Sequence, residues 1–341
     1  MNQPDQAQAV SNSPTAEADI GLQVAAPEPA GKPVDGFPDF FVVGAPRCGT
    51  TALCRYLARN PQICVSRPKE PHYFTRMTDL PTAEEVRSDY IDYFFDHRTA
   101  AHRVAGEGSV SYLYLPGVIE NILHYNSQAR FIAIVRNPLA MLPSYHLRMQ
   151  YLLQEDEADF EWAWHLQEAR ARGENLPKRC VDARLLMYRD VCNYGHQIEH
   201  LFRLTAPGQA HIIVFDDMVA DMETEYRKVV KFLGVDYDGQ TEFESRNKAQ
   251  MYRWRWLQQL FFLPVSKDMK KADILIRRKR KYNEDGSKKN GPIKWLTELN
   301  SVSMKPQPLS PRMRATLVEQ LQPDVEHLSG LLQRDLGFWL E

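Results

Sequence analysis

A glycine-bounded loop between an apolar run and a helical pattern constrains the fold of this chain more than any other feature. Residues 40–43 are four consecutive apolar residues that end at Gly44, which is typical of a buried strand in a parallel sheet. From Thr50 onwards, apolar residues at helical spacing predict a helix that ends before Asn60-Pro61. A strand, a glycine-bounded loop and a helix form the first half of a βαβ unit, so we expect an α/β protein.

The same order of elements returns twice along the chain. Residues 131–135 predict a second buried strand, and Asn137 and Pro138 then predict the N-cap and first residue of a helix. Residues 212–215 predict a third strand, followed by a helix over 223–233 with Gly234 as its C-cap. Strands that alternate with helices favour a three-layer α/β fold with a mostly parallel central sheet flanked by helices.

Two further regions have helical patterns. Residues 159–204 are expected to be mainly helical. Residues 311–333 also predict a helix that begins after Ser310, with a break at Gln322-Pro323.

The ends of the folded region are suggested by composition. Residues 1–36 contain five acids, one base and no aromatic residue, so we expect a disordered N-terminal tail rather than a signal peptide. A single domain is expected over 37–341.

Five cysteines without a Cys-x-x-Cys pair indicate reduced thiols in a cytoplasmic protein and give no metal-ligand spacing. No apolar run approaches the ~18 residues of a membrane span, and the net charge of −2 gives no whole-chain footprint for nucleic acid.

One stretch departs strongly in charge. Residues 267–294 contain eleven bases and four acids, a net charge of 11 − 4 = +7. Three interpretations stay open: a solvated and mobile insertion, a surface that attracts an acidic acceptor or the inner face of an anionic membrane, and a nucleic-acid contact. The last is the least favoured, because the stretch contains no recognisable nucleic-acid-binding module.

The loop from Gly44 to Thr51 has the Gly-x4-Gly spacing of a phosphate-binding loop. Its glycines let backbone N–H groups turn toward an anion, and the following helix adds the positive end of its dipole. A nucleotide-hydrolysing loop needs a lysine directly after the second glycine, and Thr50 occupies that position. The sequence therefore disfavours a P-loop kinase, while an ordinary strand-to-helix turn remains an alternative.

Two other segments carry side chains suited to chemistry at an anion. Arg136 follows the second predicted strand, where ligands of α/β proteins bind, and Ser144 lies about two helical turns further on. The segment Lys69-Glu70-Pro71-His72-Tyr73-Phe74 places a carboxylate and an imidazole two residues apart. Either Glu70 or His72 could accept a proton from an attacking hydroxyl or amine, and an ordinary solvated loop is the alternative.

Taken together, these segments resemble the PAPS-dependent sulfotransferases, specifically the bacterial group similar to heparan sulfate N- and 3-O-sulfotransferases. The matching segments are FFVVGAPRCGTTALCRYLARNPQI, KEPHYF, GEGSVSYLY, RFIAIVRNPLAMLPSYH and FDDMVADMETEYRKVVKFLGVD, which lie in the family's order over residues 40–236.

The resemblance implies a P-loop-like fold and a role for each matched residue. It assigns the 5′-phosphosulfate of PAPS to the first loop and the 3′-phosphate to Arg136 and Ser144. It also implies that Glu70 is the catalytic base, with His72 as the alternative, and that Arg47 stabilises charge on the leaving oxygen. The loop residues so assigned are Arg47, Cys48, Gly49, Thr50, Thr51 and Ala52.

The function implied is transfer of the sulfuryl group of PAPS to a hydroxyl or amine by in-line displacement, without a metal. A carbohydrate or a lipid-linked glycan is the favoured acceptor, and a small metabolite is the alternative. A non-catalytic anion-binding protein on the same fold remains a competing hypothesis.

Overall fold

The computed structural model describes residues 34–77, 79–244, 250–261 and 292–341. The expected N-terminal tail falls outside the described residues except for 34–36, and the basic stretch except for 292–294. The predicted start of the domain at Phe37 is described, and this side chain is buried against Phe41 and Tyr125.

Five parallel strands form the central sheet in the order β2-β3-β1-β4-β5. The strand β1 lies in the middle and pairs with β3 on one side and β4 on the other. Every residue of β1 is buried, as expected for a strand covered on both faces. The strands are β1 Phe40–Gly44, β2 Ile63–Val65, β3 Val104–Glu107, β4 Arg130–Val135 and β5 Ala210–Val214.

The predicted fold class is confirmed: the sheet is parallel and helices flank it. The α-helices are α1 Thr50–Leu57, α2 Ala83–Val86, α3 Asp92–Phe94, α4 Val118–Tyr125, α5 Pro138–Tyr151, α6 Phe160–His165, α7 Gln167–Ala171, α8 Tyr188–Cys192, α9 Tyr194–Leu204, α10 Phe215–Ala220, α11 Met222–Leu233, α12 Arg255–Phe261, α13 Pro292–Asn300 and α14 Pro311–Leu332. Short 3-10 helices span Tyr73–Arg76, Ala183–Leu186 and Gly337–Trp339, and a π-helix spans Arg87–Ile91.

The predicted helix signals act as expected at two helix ends. The side chain of Asn137 accepts a hydrogen bond from the Leu139 N–H, and α5 begins at Pro138. Gly234 ends α11 in the left-handed conformation, with φ of 71°. A small antiparallel pair, β6 Gln250–Tyr252 with β7 Ser301–Ser303, lies outside the central sheet.

One predicted boundary was wrong, and a second was off by one residue. The break at Gln322-Pro323 does not occur, because α14 runs through Pro323 to Leu332. Buried Leu317 and Leu321 before the proline, and Val325 and Leu328 after it, hold both halves of α14 to the core. The third strand ends at Val214, and Phe215 already begins α10.

The described helices include none that is both long and apolar enough to cross a membrane. All five cysteines are free, and four of them are buried.

Candidate active site

The parallel sheet brings three loops to one edge. The carboxyl ends of β1, β3 and β4 are adjacent, so the segments that follow Gly44, Glu107 and Val135 meet there. Ligands of open α/β sheets bind at this edge. The first loop, Arg136 and the segment after β3 are therefore placed together by topology.

The first loop has a backbone that glycine makes possible. Gly49 has φ of 91°, and a Cβ there would clash with Met218 Cε and lie 3.2 Å from Phe215 Cε2. Arg47 also has a left-handed backbone, with φ of 63°. The helix α1 begins at Thr50, and the first N–H groups of a helix have no acceptor within it. Thr50 and Ala52 are buried and Thr51 is exposed, so this N-terminus forms the floor of a potential anion site.

Arg47 lies in this loop, Arg136 contacts it, and the charge of Arg148 acts on Arg47. Arg47 Nε donates to Ser144 Oγ at 2.9 Å, and Arg136 Nη1 donates to the Arg47 carbonyl oxygen at 3.1 Å. Burial, together with the charges of Arg148 and Arg136, lowers the pKa of the Arg47 side chain. In the part of the chain that the structure describes, no carboxylate forms an ion pair with any of these three arginines. A cluster of unneutralised cations is an arrangement that favours a bound anion.

Cys48 contributes its backbone rather than its thiol. Its side chain is fully buried, with Sγ 3.3 Å from the Pro46 carbonyl oxygen and 3.7 Å from the Tyr194 hydroxyl. Burial raises the pKa of this thiol to about 12, so it is neutral at physiological pH.

Glu70 lies in the same electrostatic neighbourhood, because its charge acts on Arg47. Its Oε1 is 2.7 Å from Lys69 Nζ, and its Oε2 is 3.7 Å from His72 Nε2. Burial alone would raise the pKa of this carboxyl, but Lys69 and His72 lower it well below its usual range. Glu70 is therefore ionised and paired in this structure.

The segment after β3 holds the Glu70 loop in place. His72 Nδ1 is 2.9 Å from Ser111 Oγ, and the His72 N–H donates to Ser109 Oγ at 3.0 Å. Ser109 Oγ in turn donates to Glu107 Oε2 at 3.1 Å. Glu70 and His72 have left-handed backbones, with φ of 64° and 52°, so these bonds fix a conformation that such residues seldom adopt.

The structure thus gathers Arg47, Arg136, Ser144, Glu70 and His72 at one edge of the sheet, while their roles stay predictions. Lys69 and Arg148 were not predicted as functional residues. Arg148 had a signal, because it follows Ser144 by four residues and so shares its helix face. Among the described residues, no group of three or more His, Cys, Asp or Glu side chains is arranged to hold a metal ion.

Comparisons with known proteins identify the family of this chain. Residues 37–280 match the family model described as the sulfotransferase domain, and the chain belongs to that family. It is 26% identical over 217 residues to the bifunctional heparan sulfate N-deacetylase/N-sulfotransferase 3 of Mus musculus, covering 60% of this chain and 23% of that protein. It is also 26% identical over 142 residues to the membrane-associated sulfotransferase kil1 of Dictyostelium discoideum, covering 39% of this chain and 28% of that protein.

The chain therefore matches about a quarter of the length of these two relatives. Among solved structures, a sulfotransferase from Alicyclobacillus acidocaldarius superimposes with a TM-score of 0.59 at 23% identity, covering 89% of this chain and 99% of that one. This likeness shows that the fold is that of a sulfotransferase.

Proposed function

We propose that this protein transfers the sulfuryl group of PAPS to a hydroxyl or amine of an acceptor. The observation that carries the proposal is the pair of Arg47 and Arg136 at the loop before α1, with the charge of Arg148 acting on Arg47 and no carboxylate ion-paired to any of the three among the described residues. PAPS is an anion at two positions, its 5′-phosphosulfate and its 3′-phosphate. A site with several unneutralised guanidinium groups offers complementary charge to both.

The proposed donor site divides between the loop and α5. The 5′-phosphosulfate binds the N–H groups of residues 47–52 and the guanidinium of Arg47. The 3′-phosphate binds Arg136 and the hydroxyl of Ser144, whose contact with Arg47 Nε keeps that side chain in the site. Arg136 is also held against the ring of Phe215, with its guanidinium carbon 4.5 Å from the ring centroid.

In the proposed reaction the acceptor oxygen or nitrogen attacks sulfur in line. A bond forms between this atom and sulfur, the bond from sulfur to the bridging oxygen breaks, and its electron pair leaves with the 5′-phosphate of 3′,5′-adenosine bisphosphate. The acceptor proton passes to Glu70, with His72 as the alternative base. Arg47 and the loop N–H groups stabilise the charge that develops on the bridging oxygen, a contribution worth about 100-fold in rate per donor.

We propose a carbohydrate or a lipid-linked glycan as the acceptor. The support comes from the relative named for heparan sulfate N-sulfotransferase activity, and a small metabolite remains the alternative. Contact with the inner face of a membrane through residues 267–294 likewise stays a prediction from sequence.

Calorimetric titration with 3′,5′-adenosine bisphosphate tests the donor site, with AMP and ATP–Mg as reference ligands. We expect micromolar affinity that depends on the 3′-phosphate and weakens at least tenfold in Arg136→Ala. Arg203→Ala, at an exposed position on α9, is the matched control and should bind like the wild type. Stronger binding of ATP–Mg would instead favour a kinase.

The catalytic assignment is tested with Glu70→Gln. This variant should bind 3′,5′-adenosine bisphosphate normally and lose sulfuryl transfer to a panel of carbohydrate acceptors. Full activity of Glu70→Gln would remove Glu70 from the mechanism. Donor binding by the wild type without transfer to any acceptor would favour the non-catalytic alternative.

A further inference from the structure

Lys69 lies directly beside the proposed base. Its ammonium is 2.7 Å from Glu70 Oε1, and only 16% of its side chain is exposed. Its stem crosses Gly108, where an added Cβ would lie 3.3 Å from Lys69 Cε and 2.5 Å from Cys54 Sγ. Burial disfavours its charged form, but the neighbouring Glu70, Cys54 and Glu107 outweigh burial and raise the pKa of Lys69. The ammonium is therefore charged and kept near Glu70.

This pairing weakens Glu70 as a proton acceptor. General-base catalysis becomes more efficient as the basicity of the accepting group approaches the working pH. Lys69 and His72 hold the pKa of Glu70 well below its usual range, so the paired carboxylate is a poor base. Glu70 becomes an effective base only when the Lys69 ammonium pairs with another anion instead.

The donor supplies such an anion. The charge of Glu70 acts on Arg47, so the sulfuryl group that Arg47 is proposed to bind would lie within electrostatic range of the Lys69–Glu70 pair. A lysine has three donor hydrogens on a flexible stem, and it can move between a carboxylate and a sulfuryl oxygen. Arg47 and Lys69 would then place cations on two sides of the transferred group.

We propose that Lys69 is a further catalytic residue, whose ammonium contacts a sulfuryl oxygen in the donor-loaded site and so releases Glu70 to accept the acceptor proton. The inference rests on the proposed function. Lys69 neither gains nor loses a proton overall. The acceptor proton goes to Glu70, the bond from the acceptor atom to sulfur forms, and the bridging bond breaks with its electron pair on the 5′-phosphate.

The test compares Lys69→Met and Lys69→Arg with the wild type. Lys231→Met, at an exposed position on α11, is the matched control. Binding of 3′,5′-adenosine bisphosphate, which lacks the sulfuryl group, should stay within about threefold in both Lys69 variants. Turnover of PAPS, measured with the best carbohydrate acceptor or as hydrolysis, should fall about 100-fold in Lys69→Met. Lys69→Arg should also lose rate, because a guanidinium can pair with Glu70 at both oxygens and hold it.

The pH profile separates this role from a structural one. Activity is lost as the pH falls through the pKa of Glu70, which Lys69 lowers. The acid limb of kcat/KM should therefore lie at higher pH in Lys69→Met than in the wild type.

Wild-type turnover in Lys69→Met would overturn the inference and leave the proposed function standing. An equal loss of nucleotide affinity and of rate would also overturn it, because Lys69 would then serve donor binding. Failure of the wild type to bind 3′,5′-adenosine bisphosphate would overturn both the inference and the proposed function. Thermal melting of each variant shows whether it is folded, and Lys69→Arg serves if Lys69→Met is not.

Discussion

The buried carboxyl of Glu107 should affect how the stability of the protein depends on pH. It has no exposed surface, and burial raises the pKa of its carboxyl to about 7 from an ordinary value of 4.5. Between these two values the unfolded chain releases this proton first, so the contribution of Glu107 to wild-type stability should fall as the pH rises from 4.5 to 7. Glu107→Gln keeps an acceptor for Ser109 and does not titrate. Its free energy of unfolding should therefore rise relative to that of the wild type across this pH range, by at most about 3 kcal/mol.

Urea denaturation at pH 5, 6 and 8 measures this difference. The advantage of Glu107→Gln should grow between pH 5 and pH 8 and be small at the acid end. Glu84→Gln, at an exposed position of α2, is the control and should follow the wild type at each pH. A constant offset between Glu107→Gln and the wild type would contradict the proposed titration.

For single residues, the sequence predicts those that lie in recognisable motifs. It misses those that reach the site only through the packing of the fold. Arg136 and Ser144 could be predicted, because a strand end and a helical spacing place them. The complete burial of Glu107 could not be predicted, because it depends on the packing of β3 beside β1. Lys69 lies in the KEPHYF segment, but only the 2.7 Å contact between its Nζ and Glu70 Oε1 shows that the two charges form a pair.

At the scale of elements, the contact between α14 and α9 explains why the predicted break at Pro323 fails. Asp324, the next residue, accepts hydrogen bonds from the N–H groups of Gly195 and His196 at 3.0 and 3.2 Å. These groups lie in the first turn of α9, where no intrahelical acceptor exists. One side chain of α14 thus caps another helix, which a pattern along the chain cannot reveal.

Asp324→Ala should therefore destabilise the protein by about 1–2 kcal/mol, the usual cost of losing a helix cap. Urea denaturation at neutral pH measures the loss. Glu326→Ala, on the exposed side of the same helix, should change the free energy of unfolding by less than about 0.5 kcal/mol. Equal effects of the two substitutions would show that Asp324 does not cap α9.

The strands show the same limit of prediction. The strands β1, β4 and β5 coincide with apolar runs, and all three were predicted. The strands β2 and β3 have three and four residues, and β3 contains Gly106 and Glu107, so no apolar run marks it. Gly106 is required there, because an added Cβ would clash with the ring of Phe40 on β1.

At the scale of the whole molecule, the C-terminal segment contacts residues beside the proposed donor site. The side chain of Asn137, next to Arg136, donates to the Trp339 carbonyl oxygen at 2.8 Å. Trp339 Nε1 donates to Asp216 Oδ2 at 3.0 Å, next to the Phe215 ring on which Arg136 lies. Arg334 forms an ion pair with Asp217. Trp339 lies beyond residue 280, where the match to the family model ends. It contacts Asn137, which follows Arg136 in the sequence, and Asp216, which follows the ring that Arg136 contacts.

Trp339→Ala should consequently weaken stability and nucleotide binding together. The ring is 1% exposed, and the loss of a buried tryptophan costs about 3–5 kcal/mol. Affinity for 3′,5′-adenosine bisphosphate should fall at least tenfold, because Asp216 loses its hydrogen-bond donor and the backbone carbonyl that accepts from Asn137 loses the buried ring that anchors it. Trp339→Phe removes only the bond to Asp216, so it should stay folded and show a smaller loss of affinity. Phe338→Ala, at a ring that is 46% exposed, is the control. Calorimetry measures the affinity of each folded variant. If both Trp339→Phe and Trp339→Ala bind with wild-type affinity, Arg136 is positioned without the C-terminal segment.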